Sequence, residues 1–231
     1  MEANGYEIKP GAKLVGANLK GANLTNANLT NVKLTYADLT NAKLGGANLK
    51  DTNLMGANLT DADLTGANLT RVNLEGANLK NANLTKANLS GANLRGLWLG
   101  TANLEGAILT NAILTQASLH LAKLAGARLY KANLQSRNLE GANLTNADLE
   151  NANLIEANLE NANLTNANLR DTNLNDANLE WAILADANLT GANLEGANLE
   201  NANLTNANLT NAKLKYSHRK GTIMPDGSVH P

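Results

Sequence analysis

The sequence predicts an all-β chain wound into a four-sided solenoid of about ten coils, 20 residues to the coil, and three observations predict it. Leu recurs at every fifth residue from Leu14 to Leu214 without a gap, 41 times in succession. Ala stands two residues before each Leu with six exceptions, and the residue between them is Asn in 27 units and Asp in three. The exceptions themselves fall into columns. Val32, Thr52, Val72 and Thr172 differ by multiples of 20, and Leu97 and Arg137 are 40 apart. Periods of 15 or 25 do not gather them this way.

A helix cannot use a five-residue period, because five residues advance roughly 140° beyond a full turn and would scatter the leucines around the cylinder. The Ala-Asn-Leu triplet reads in, out, in, as a short strand does. The two residues that follow are rich in Gly, Asn and Asp, which tolerate turn conformations, so each unit supplies one side and one corner. Coils stacked at the ~4.8 Å spacing of neighbouring strands bury Leu and Ala against the coils above and below. Composition agrees: 43% of the residues are hydrophobic, yet there is no Phe, and only two Trp and four Tyr. A core of one large and one small side chain implies one packing unit used many times.

Residues 1–11 lie out of register and are expected to form an N-terminal cap, with Tyr6 and Ile8 folding over the first coil and Pro10-Gly11 turning into the column. The solenoid is expected over 12–214, and a C-terminal cap or tail over 215–231. Arg219 breaks the Leu register there, Met224 and Val229 are expected to return to it, and Pro225-Asp226-Gly227 signals a turn. Caps are needed because a solenoid exposes unpaired strand edges at its ends. An incomplete cap would permit an end-to-end homodimer in place of a monomer.

The A-(N/D)-L-x-x run over residues 12–214 resembles the pentapeptide-repeat family. That resemblance implies a right-handed quadrilateral parallel β-helix with the central Leu and the residue two before it inside. Members abound in cyanobacteria, and the ending GTIMPDGSVHP is similar to the tails of several of them. Some bacterial relatives inhibit DNA gyrase by imitating duplex DNA. Those relatives generally favour Phe at the central position and are acidic overall, whereas this chain has no Phe and a net charge of -1.

The function expected from the residues is binding rather than catalysis, so the chain is read as no enzyme. With no cysteine, thiolate zinc sites, disulfides and cysteine nucleophiles are excluded. The three histidines, His120, His218 and His230, have no nucleophile or phosphate-cradling glycine loop to work with. No cofactor and no metal site is expected. A start without a basic and then apolar stretch, and no apolar run of the ~18 residues a span needs, lead to the expectation of a cytoplasmic protein away from membranes.

Information should lie where the repeat departs from consensus, and residues 97–138 are the least regular stretch. Trp98, Ile108, Ile113, Ser118, Lys123 and Arg128 replace the outward Asn or Asp there. Folded at period 20, the side beginning at Ala17 collects Trp98, His120, Leu121, Arg137 and Trp181. It also stacks Glu140, Glu160, Glu180 and Glu200 in one column. Arg137 occupies an inward position, and because a buried unpaired guanidinium is costly it is expected to escape to solvent. Charge divides along the chain as well, with +6 over residues 1–137 and -7 over 138–231. The expected partner is therefore a protein bound through this side, without direct nucleic-acid binding. Two alternatives stand beside it. One is a duplex-DNA mimic using the acidic stretch 138–212, which carries 11 acidic residues against Arg170 alone. The other is a structural protein without a specific partner.

Overall fold

The computed structural model describes residues 1–231 and contains a right-handed quadrilateral β-helix in each of two compact units, Met1–Ala117 and Ser118–Pro231. The coil length is visible in the pairing. Along most of each unit the outward residue bridges in parallel to the one 20 positions on, as in Asn23 to Lys43 and Lys43 to Asp63. Three kinds of backbone bond hold neighbouring coils. The Leu24 N–H donates to the Lys43 carbonyl (2.7 Å), the Lys43 N–H to the Ala22 carbonyl (2.9 Å), and the Asn26 N–H to the Gly45 carbonyl (2.9 Å).

The corners explain the last two positions of the repeat. At each, the residue after the turn donates back to the preceding Leu carbonyl, as Ala27 does to Leu24 at 3.0 Å. The second corner residue has positive φ, 57° at Asn26, which makes a type II β-turn. Gly and Asn bear that conformation most easily. Thr101 is the only β-branched residue at this position, and its corner is the only one from Gly16 to Gly221 without positive φ. A branched Cβ is a true outlier in the left-handed region, so the chain takes another turn there. The consequence is local. In the first unit the outward bridges run from Lys13 to Ile113 but skip the Asn78–Trp98 pair, and the Asn81 N–H bonds to the Thr101 hydroxyl (3.2 Å) instead of a backbone carbonyl.

The core is a column of leucines. In the first unit Leu19 through Leu94 are 2% exposed or less, and in the second Leu139 through Leu204 are fully buried. Thr52, Thr172 and Thr222 take inward positions at little cost, because each hydroxyl donates to a Leu carbonyl of the preceding coil: Leu29 (2.7 Å), Leu149 (2.9 Å) and Leu199 (2.6 Å).

The first unit opens with a hairpin of β1 (Glu2–Ala3) and β2 (Tyr6–Glu7), joined by Asn4-Gly5 with both φ positive, the I′ turn this dipeptide favours. Ile8 is buried, and Tyr6 reaches the first coil, where its hydroxyl accepts from the Asn18 N–H at 3.3 Å. The Asn4 amide donates to the carbonyls of Asn18 and Lys20 (3.3 and 3.1 Å), so the hairpin occupies part of that edge.

In the second unit the bridges run from Lys123 to Ile223, past the last Leu of the run. Met224 returns to the inward register and is half-buried. Val229 does not: it is 64% exposed and pairs antiparallel with Ile223, because the Pro225–Ser228 turn reverses the chain. No helix is long and apolar enough to cross a membrane.

Candidate protein-interaction face

The side beginning at Ala17 is built in the same way in both units: an outward strand residue, an inward Leu, and two corner residues. In the first unit it presents Trp98, 52% exposed, at the strand position where the irregular corner follows. Tyr36, 66% exposed, stands at the corner leading into it, with its ring over Gly56. Between them Asp38 accepts bonds from the hydroxyl and the N–H of Thr40 (2.6 and 2.9 Å), and these hold its carboxyl below the usual range.

The second unit holds the other eight residues singled out from the sequence. Glu140, Glu160, Glu180 and Glu200 stack one per coil, and the outward asparagines between them account for the stacking. The N–H of each Glu donates to the Asn side chain two residues before it, at 2.9 to 3.2 Å. The Asn178 amide donates to the Asn158 side-chain oxygen (3.2 Å) and to Glu160 Oε2 (3.3 Å). Asn198 repeats the pattern on Asn178 (3.2 Å) and Glu180 (3.5 Å). Each amide thus faces a carboxylate of the coil below, which offsets part of the repulsion between carboxylates at neighbouring-strand distance. No Lys or Arg pairs with Glu160, Glu180 or Glu200, so their charge remains free for an incoming group.

At the start of the column His120 Nδ1 lies 3.8 Å from Glu140 Oε2, too long for a hydrogen bond and an ion pair only when the ring is protonated. Leu121, 58% exposed with φ 58°, lies over Gly141, where an added Cβ would come within 2.7 Å of its Cδ2. Trp181, 55% exposed, takes the same corner position at φ 57°, and its N–H donates to the Glu200 carbonyl at 3.0 Å. Two large apolar side chains therefore sit in left-handed corners, each at a cost of order 1–3 kcal/mol that a Gly or Asn would largely avoid. Arg137 is half-buried and turns outward, its Nε donating to the Gln135 carbonyl at 2.9 Å, as the burial argument required.

Sequence reasoning passed over Tyr36 and Tyr216, which is 75% exposed. Both occupy the corner one residue before the Ala17 side, so the period-20 columns contained the signal. Starting each side at Ala placed them outside it. No group of three His, Asp or Glu side chains gathers in the chain as a metal-binding set. What the side offers chemically is a column of four carboxylates, two of them (Glu160 and Glu180) held by asparagine amides, bordered by exposed apolar side chains.

Comparison with known proteins adds the following. The family model described as pentapeptide repeats matches eight copies, over residues 11–41, 33–71, 57–96, 99–135, 132–171, 142–180 and 182–217. Among solved structures, HetL, a pentapeptide repeat protein involved in heterocyst differentiation regulation from the cyanobacterium Nostoc sp. strain PCC 7120, is 37% identical. That match covers 96% of this chain and 92% of HetL, with a TM-score of 0.50. Rfr23 from the cyanobacterium Cyanothece 51142 is 30% identical over 51% of this chain and 88% of its own, with a TM-score of 0.31. QnrB1, a plasmid-mediated fluoroquinolone resistance protein, is 18% identical over 90% of both chains, with a TM-score of 0.38. No curated protein matches the chain significantly.

Proposed function

The chain belongs to the pentapeptide-repeat family, and from that premise we propose that it is a non-enzymatic scaffold that binds a protein partner through the side beginning at Ala17. The observation that carries this reading is the placement, within one unit, of exposed Leu121 and Trp181 on the side where Glu160, Glu180 and Glu200 pair with no Lys or Arg. Exposed Trp is a common anchor of interfaces. Strained corners are where selection for a contact would tolerate a bulky residue. On the first unit, Trp98 is the corresponding contact. The likeness to HetL over nearly the whole of both chains supports a regulatory role rather than a catalytic one.

The test is affinity capture from a cyanobacterial lysate with the wild-type chain, a Leu121→Asn/Glu160→Gln/Trp181→Asn variant, and a Trp98→Asn variant. All changed side chains lie at the surface, so the far-ultraviolet spectrum should stay the same. A partner held by wild type and lost by the triple variant supports the assignment; full retention by both variants removes it.

A second reading, duplex-DNA mimicry, is favoured by the 11 acidic residues of stretch 138–212 against a single Arg. It requires inhibition of gyrase supercoiling that weakens with salt, and inactivity at high protein excess would dismiss it.

A further inference from the structure

The C-terminal end of the second unit carries a second surface, which adjoins the last coil of the Ala17 side. Along most of the second unit, from Leu119 to Asn206, the interior Leu N–H and corner N–H groups donate to the following coil. At the end of the second unit that coil is absent along two sides. The N–H groups of Leu209, Asn211, Leu214 and Tyr216 have no acceptor in the chain, and the carbonyls of Ala207 and Ala212 have no ladder donor. The chain's final residues cover a different stretch: the Gly221 N–H donates to the His230 carbonyl and the His230 N–H to Thr222 (both 2.9 Å). Leu209, Ala212 and Leu214, inward residues that are fully buried elsewhere in the unit, are only half-buried here. The open stretch is therefore a strand edge with apolar slots at the strand spacing.

Charge narrows the occupant. Lys213, Lys215, Arg219 and Lys220 ring this edge, and no Asp or Glu occurs between Glu200 and Asp226. Arg219 stands where Leu belongs, and its Nε is buried without an acceptor. Two such ends brought together would oppose basic groups to basic groups, which disfavours a second copy of the chain. We propose that this edge binds an acidic, extended segment of another protein, added as a parallel strand with its small and large apolar residues over Ala207–Leu209 and Ala212–Leu214. Edge addition of this kind takes affinity from main-chain bonds and specificity from alternate side chains. Here the acidic groups would meet Lys213, Lys215 and Lys220, which are exposed.

The experiment titrates a blocked ten-residue peptide with the sequence of residues 142–151, whose Asp148 and Glu150 flank the Leu149 that would lie over Leu214, into the isotopically labelled chain. The comparison peptide carries Asp148→Asn and Glu150→Gln. The expected result is binding of the acidic peptide about tenfold tighter than the neutral one, weakened by salt, with shifts and slowed exchange at the Leu209, Leu214 and Tyr216 amides. A Lys213→Glu/Lys215→Glu/Lys220→Glu variant of unchanged circular dichroism should lose at least about tenfold. Equal binding of the two peptides, no binding at millimolar concentration, or amide changes confined to other parts of the chain would each overturn the proposal. So would protection of the same edge amides without peptide in a sample that sediments as a dimer, because a second copy would then be the occupant.

Discussion

The two ends of the repeat array are closed by different means. At the N-terminal end a hairpin outside the five-residue register lays Ile8 against the interior, and Tyr6 and Asn4 bond to the edge strand. At the C-terminal end the coil pattern continues to Ile223, and the final residues cover only the stretch near Gly221 and Thr222. The difference is visible in the leucines. Leu19 is fully buried one coil from the start, whereas Leu209 and Leu214 near the other end are half-buried. Coils are interchangeable because each is covered by its neighbours, so closure depends on residues that break the repeat. An end that keeps repeating stays open.

This contrast can be broken most forcefully at Ile8. Ile8→Ala should cost about 2–5 kcal/mol in denaturant unfolding if the hairpin seals the interior. Leu214→Ala at the open end should cost about half as much, because less of its surface leaves water on folding. Equal effects would mean that the two ends are equally covered. Smaller changes sharpen the picture. Tyr6→Phe removes only the bond to Asn18 and should cost about 0.5–1.5 kcal/mol, with faster amide exchange confined to the Asn18 region. Thr172→Val should cost about 1 kcal/mol, because the Leu149 carbonyl keeps its bond from the Ala152 N–H.

Acidification gives the smallest effect and acts at both ends. The Glu7 carboxyl is held below its ordinary range by its bond to and charge attraction with Lys9, and Asp226 by bonds from the Ser228 hydroxyl and N–H. A carboxyl depressed in the folded state stabilises fully above its unfolded value and loses that contribution as pH falls through the lower folded value. Amide protection at both terminal turns, taken relative to the intrinsic exchange rate at each pH, should therefore fall below the ordinary carboxylate range and be unchanged between neutral pH and that range. Both groups are fully exposed, so the unfolding midpoint should barely move.

Much of this was legible before any coordinates. A strict five-residue Leu register admits no helix, and the column of Val32, Thr52, Val72 and Thr172 sets the coil at 20 residues. The outward fate of Arg137 followed from the cost of burying an unpaired guanidinium. The glutamate column could be drawn from periodicity alone, but its accommodation could not. That rests on Asn178 and Asn198 donating to carboxylates 18 residues earlier in the chain, a distance set by the pitch of the coil.

By itself, then, the sequence determined the class of fold, the contents of the interior and the columns of side chains on each side, because a short exact period leaves a single way to bury its apolar residues. Tertiary structure alone decided how the array stops. Val229 lies five residues from Met224 and fits the register, yet it pairs backward with Ile223 and stays exposed. Periodicity is a local rule with no term for the absence of a next coil. Whether an edge is covered depends on contacts between residues far apart in the chain, such as Tyr6 with Asn18 and Gly221 with His230.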